Sequence, residues 1–348
     1  MPASAPHPRN PFIVGSWVRG EDFFGRASLI REILEGERHS IWVLGARRLG
    51  KTSLLKELER RVHRSRDAPF VALYWDLQGS GDARGLAETL LSSVEDSEAF
   101  RRATDITVEE LESLPVADML ATLVRRTVRS GWRLLVLVDE AEELLVVGRS
   151  DPSVLARLRR VLSRGRDVRA VMTATRLLAR LDDEAQLATS PFLQGFIPPV
   201  YLTPLDPSEC QALLARGGFA RDEVEAVLER AACHPFLVQL LASRLFESRD
   251  LAATLDQLGA DDMVANFFAV DFQTLDEAER ALLSEVAREG PRTRRELAAA
   301  TGQAEDALEV PLYGLTMLGY LVRDGDAFRF GNWFFERWLR RRIAAGGA

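Results

Sequence analysis

Between an apolar run, Ser40–Leu44 (SIWVL), and the amphipathic stretch TSLLKELERRV lies GARRLGKTSLL, Gly45 to Leu55. It satisfies G-x-x-x-x-G-K-[ST] in full, and this pattern works in one setting, where a buried strand hands the chain to a helix. The glycines permit backbone conformations and close approaches that side chains block. Backbone N–H groups and the helix N-terminus then form a cradle for phosphates. In that setting Lys51 reaches the β and γ phosphates of ATP, and the Thr52 hydroxyl ligates Mg²⁺. The expected nucleotide-binding set is Gly45, Arg48, Leu49, Gly50, Lys51, Thr52 and Ser53. Of the 45 basic residues only Lys51 and Lys56 are lysines. A lysine retained in so arginine-rich a chain marks a place where a compact ammonium is needed and a planar guanidinium does not substitute.

RLLVLVDEAEEL supplies a second part. Leu134–Val138 reads as a buried strand with Asp139 at its carboxyl end, the edge where open parallel sheets bind ligands. A carboxylate there holds the water shell of Mg²⁺ beside Thr52. Glu140 follows at once, placed to orient or deprotonate an attacking water. Glu142 and Glu143 read as solvated residues of an acidic helix start. A third strand, VRAVMTATR, brings Thr173, Thr175 and Arg176 to the same edge. There Arg176 either senses the γ-phosphate or simply caps the strand and pairs with a neighbouring acid.

The chain divides into four expected regions. Residues 1–20, rich in proline and small polar residues, read as a flexible arm. Residues 21–203 alternate apolar runs with helical patterns, the signature of an α/β fold: a P-loop NTPase parallel sheet with helices on both faces. Its strands are expected at Ser40–Leu44, Phe70–Asp76, Arg133–Val138, Val168–Thr173 and Pro199–Leu202. Residues 204–265 read as a helical lid, beginning after TPLDPSE with Asp206 or Ser208 as cap. Residues 266–348 read as three helices, the third interrupted near Pro311, and a hairpin around Asp324-Gly325, the order of a winged-helix domain.

No apolar run approaches the roughly 18 residues needed to span a bilayer, and the start lacks the apolar centre of a signal peptide. Cytoplasmic placement is expected, with Cys210 and Cys233 as buried thiols that lack metal-ligand spacing. A net charge of −7 gives the whole molecule no electrostatic footprint for nucleic acid.

These motifs in this order resemble the STAND class of P-loop ATPases, relatives of the AAA+ and origin-recognition ATPases. DFFGRASLIREIL is similar to the family's F-x-G-R-x-x-x-L leading helix, which implies that Phe24, Gly25 and Arg26 lie at the adenine. VMTATR is similar to the strand end that carries the family's sensor arginine, which implies that role for Arg176. CHPFLVQLL is similar to the lid's G-x-P motif, which implies Pro235 against the base, with Cys233 in the glycine position as a departure. The resemblance implies a slowly hydrolysing ATPase switch in signalling, regulation or defence, acting through a protein partner or nucleotide-dependent self-assembly. The alternative is an origin-recognition-like or transposition-type DNA-binding ATPase. DNA is the less favoured partner, because the expected recognition helix, AEDALEVPLYGLTMLGYL, carries three acids and no basic residue.

Overall fold

The structure, a computed structural model, describes residues 9–65, 67–163, 165–185 and 191–346. Residues 1–8 of the expected arm and the last two residues lie outside these. The chain forms two compact units, one from Trp17 to Leu202 and one combining the chain before Trp17 with the chain from Thr203 onward.

The first unit runs α1 (Ala27–Glu35), β1 (Ser40–Leu44), α2 (Lys51–Arg64), β2 (Phe70–Asp76), α3 (Ala83–Asp96), α4 (Glu98–Thr104), α5 (Val116–Arg129), β3 (Arg133–Asp139), α6 (Glu143–Ser150), α7 (Pro152–Leu162), β4 (Val168–Ala174), α8 (Leu181–Glu184) and β5 (Val200–Tyr201). The strands form one sheet in the order β2-β3-β4-β1-β5, every pairing parallel. β1 and β4 are buried along their whole length, as continuous apolar runs require when helices cover both faces. The register pairs Val43 with Thr173 and Asp76 with Asp139. One edge of the sheet therefore gathers the loop after β1, the terminal carboxylate of β3 and the end of β4.

Arg169, the second residue of β4, is 3% exposed. It donates to the carbonyls of Ile33 (2.6 Å), Leu34 (2.8 Å) and Gly36 (2.6 Å), the orphan acceptors at the end of α1. This pins the leading helix to the central sheet. An Arg169→Met protein loses all three donors at once. A loss of about 3 kcal/mol is expected, at roughly 1 kcal/mol for each bond, measured by denaturant unfolding.

The second unit contains α9 (Pro207–Leu214), α10 (Arg221–Ala231), α11 (Pro235–Ser248), α12 (Leu251–Gly259), α13 (Asp262–Gln273), α14 (Glu277–Glu289), β6 (Arg292–Thr293), α15 (Arg294–Thr301), α16 (Glu309–Met317), β7 (Leu321–Asp324), β8 (Ala327–Phe330) and α17 (Trp333–Ala344). Asp206 and Glu209 form a capping box at the start of α9. β7 and β8 make the hairpin around Asp324-Gly325, and β6 joins the outer edge of β8 to give an antiparallel sheet ordered β6-β8-β7. Phe268, Phe272, Phe335 and Trp338 pack ring to ring between α13 and α17.

Two features differ from the sequence expectation. The segment read as a flexible arm is tied down where it is described. Asn10 donates to Ser243 Oγ (3.0 Å) and Glu247 Oε1 (3.0 Å), and Ile13 N–H to Gln239 Oε1 (3.1 Å). Phe12 is buried and stacks on Phe219. Prolines and small residues hid these anchors. Secondly, α13 crosses the 265/266 division, so no boundary falls there. The segment read as the third helix is divided near Pro311, as expected: a 3₁₀ turn, Glu305–Leu308, precedes α16, which begins at Glu309 with Pro311 in its first turn, where a missing N–H costs nothing.

The two cysteines, distant in sequence, meet. The Cys210 thiol is hydrogen bonded to Cys233, which lowers the Cys233 pKa. Cys233 has φ +53°, in the left-handed region that favours glycine. Among the described residues no helix is long and apolar enough to cross a membrane.

Candidate nucleotide site

The loop between β1 and α2 has the geometry its glycines forecast. Gly45 extends the sheet ladder, its N–H donating to the Ala174 carbonyl (3.1 Å). A Cβ there would lie 3.1 Å from Leu202 Cβ and 3.5 Å from Lys51 Cγ, so only glycine fits without displacing a neighbour. Gly50 caps α2 with φ +95°. Arg48 also takes a positive φ, and Leu49 is completely buried, anchoring the loop from within. Lys51 folds back over the loop. Its Nζ donates to the carbonyls of Gly45 (3.2 Å) and Ala46 (3.1 Å). Lys51 is 8% exposed, a nearly buried cation in the cradle.

Thr52 and Ser53 follow in the first turn of α2. The Ser53 hydroxyl accepts from Val18 N–H (3.1 Å), and Gly20 N–H donates to Glu57 Oε2 (2.9 Å) one turn on. Residues 18–20 are therefore fastened to the helix that carries Lys51. Phe24, Gly25 and Arg26 form the turn into α1; Gly25 and Arg26 both have positive φ, and Arg26 donates to the Leu49 carbonyl (3.4 Å). The Phe-Gly-Arg motif and the glycine loop, separate in sequence, thus lie side by side.

Asp139 is 1% exposed. Its Oδ1 accepts from Thr173 Oγ1 (2.5 Å) and the Glu140 N–H (3.1 Å), and its Oδ2 accepts from Tyr74 Oη (3.0 Å). Glu140 takes φ +49°, unusual for a residue with a side chain. Burial pushes its pKa up, Glu142 and Asp139 add to that, and Lys51 and Arg47 oppose it. A carboxyl poised this way suits proton transfer.

Glu142 is not the solvated residue the sequence reading expected. It accepts from the Thr175 N–H, tying the start of α6 to the turn after β4. Its Oε2 is buried without a hydrogen-bond partner. Arg176 follows directly, at the head of a short 3₁₀ turn to Arg180. Pro235 belongs to the second unit, as the first residue of α11 behind His234.

The structure therefore brings together Gly45, Lys51, Asp139, Glu140, Thr173 and, through Leu49, Arg26. Sequence reasoning missed Tyr74 and Glu142. Tyr74 had one signal, a lone hydroxyl two residues from the end of an otherwise apolar strand. Among the described residues no three His, Cys, Asp or Glu side chains gather as a metal cage. A buried carboxylate with spare acceptor capacity, set beside a phosphate cradle, fits instead an ion held largely by phosphates and water.

Comparison with known proteins agrees with this geometry. Residues 34–181 match the family model of an AAA domain. The fold is similar to that of a Walker-type ATPase of Pyrococcus abyssi, with TM-score 0.70 and 19% identity over 95% of this chain and 99% of that one. It is similar also to the ADP form of the Aeropyrum pernix ORC2 protein, with TM-score 0.50 and 16% identity over 94% and 97% of the two chains. No curated protein sequence matches the chain. The chain has the P-loop NTPase fold, with AAA-domain similarity over the segment that holds its phosphate loop and terminal carboxylate.

Proposed function

We propose that this protein is an ATP-binding, slowly hydrolysing switch of the STAND/AAA+ type. What carries this reading is Lys51: a nearly buried ammonium at a helix N-terminus, bonded to the loop carbonyls of Gly45 and Ala46 and placed to reach a phosphate. Loop N–H groups and Lys51 bind the β and γ phosphates, and Arg26 with Phe24 borders the base. Thr52 and Asp139 hold the Mg²⁺ that neutralises phosphate charge. Glu140 orients the attacking water and takes its proton, and Arg176 reads the γ-phosphate.

A nucleotide shifts a two-state protein only by its differential affinity for the two states. Moving from about 1% to 99% active requires roughly 5.5 kcal/mol of such difference. Contacts of Lys51 and Arg176 with the γ-phosphate, made in one state only, provide it. Slow turnover through Glu140 resets the switch.

The segment from α14 to β8 is our winged-helix assignment, because its order of helix, strand, two helices and hairpin and its β6-β8-β7 sheet agree with that fold. Its third helical segment exposes Glu305, Asp306, Glu309, Val310 and Tyr313. Carboxylates beside two exposed apolar side chains suit a protein partner better than phosphate. The mass of the protein in solution tests the switch. Growth with a non-hydrolysable ATP analogue and not with ADP is the outcome expected of nucleotide-gated assembly; a monomer in both, with no partner responding to nucleotide state, rules the switch out.

A second reading, a DNA-binding ATPase of the origin-recognition kind, draws support from the likeness to the ORC2 fold. It requires duplex binding that weakens steeply with salt. Titration at two salt concentrations separates the readings, and the acidic third helix leads us to expect no such binding.

A further inference from the structure

Lys56 and Tyr74 have no part in the scheme above, yet they are joined to it. Tyr74 Oη donates to Asp139 Oδ2 (3.0 Å). The face of the Tyr74 ring lies under the Lys56 ammonium, with Nζ 3.3 Å from the ring centroid. Lys56 stands one helical turn beyond Thr52 on α2, so the helix bearing one expected metal ligand and the strand bearing the other meet through these two side chains.

The two oxygens of Asp139 are unequally engaged. Oδ1 has two donors, Thr173 and the Glu140 N–H; Oδ2 has one, Tyr74. Each carboxylate oxygen offers two acceptor directions, so Oδ2 retains one, and the Tyr74 bond decides where it faces. An ordinary phenol carries its proton at neutral pH, so Tyr74 is the donor in this bond. The ammonium over the ring is attracted to the π face and withdraws density from it, which strengthens the O–H as a donor. Burial lowers the Lys56 pKa, the sign of a cation whose water has been replaced in part by the ring.

We propose that Tyr74, polarised by Lys56, is a positioning residue that aims the remaining acceptor direction of Asp139 at the nucleotide-bound Mg²⁺. The inference rests on the nucleotide reading above. A merely structural tyrosine would contribute ring packing, which phenylalanine preserves, and would leave metal dependence untouched.

The test uses Tyr74→Phe and Lys56→Met in the full-length protein, with the binding of a fluorescent ATP analogue followed in EDTA and across a Mg²⁺ titration. Tyr74→Phe is expected to keep the wild-type affinity in EDTA and to need about 10-fold more Mg²⁺ for half-maximal enhancement, as loss of a group that orients a metal ligand typically causes. Lys56→Met is expected to shift the same midpoint in the same direction by a smaller factor, and it remains the reading if Tyr74→Phe fails to fold. A Mg²⁺ midpoint unchanged in both variants, with the wild type Mg²⁺-dependent, overturns the inference alone. A wild type that binds the analogue equally with and without Mg²⁺ overturns it together with the metal assignment.

Discussion

A Lys51→Ala protein is expected to lose ATP binding by about 100-fold or more. Lys51 Nζ donates to the carbonyls of Gly45 and Ala46. In the complex two charge-assisted bonds to phosphate replace them, each contributing about 1.5–3 kcal/mol. Alanine forfeits both. It also leaves two loop carbonyls without that donor, so a drop in unfolding free energy of about 1–3 kcal/mol is expected alongside. Calorimetric titration with ATP, next to a denaturant melt of the free protein, reads the two effects separately. Undiminished ATP affinity would sink the assignment of the loop.

Glu140→Gln is expected to keep nucleotide affinity and to lower the hydrolysis rate by roughly 10²–10⁴-fold, the contribution of a positioned general base. The wild-type rate should fall with acid over a range lying above that of an ordinary glutamate, because burial and Glu142 raise the Glu140 pKa. Stability supplies an independent readout. A carboxyl whose pKa is raised in the folded state incurs no penalty below its unfolded value and destabilises the fold as pH rises through the folded value. At pH 7 Glu140 is therefore a burden that glutamine lacks. The variant should melt above wild type at pH 7, and the gap should narrow as pH falls into the carboxylate range. A variant that hydrolyses ATP at the wild-type rate places the base elsewhere.

Much of the first unit was legible because its strands are covered on both faces. SIWVL, FVALYWD and RLLVLV announce burial without any partner being known, and the observed strands begin where these runs begin. The glycine loop was equally plain, since φ and close approach restrict Gly45 and Gly50 locally. What escaped were pairings that depend on strand order. Tyr74 reaches Asp139 only because β2 lies beside β3 with Asp76 level with Asp139, and no periodicity encodes that neighbour. Glu142 looked like one more acid at a helix start, and its role required β4 to end beside it. β6 is two residues long, too short for an alternating pattern. The first described residues misled because composition reports a lack of intrinsic order, whereas Asn10 and Phe12 obtain theirs from a helix more than 200 positions away.

The chain passes between its two units twice, once at Ser16–Trp17 and again at Leu202–Thr203. Within the first unit, the residues beside both crossings are fastened at the phosphate loop. Val18 hangs on Ser53, and Leu202 donates to the Leu44 carbonyl (2.7 Å) with its Cβ facing Gly45. Whatever moves this loop moves both fastenings together.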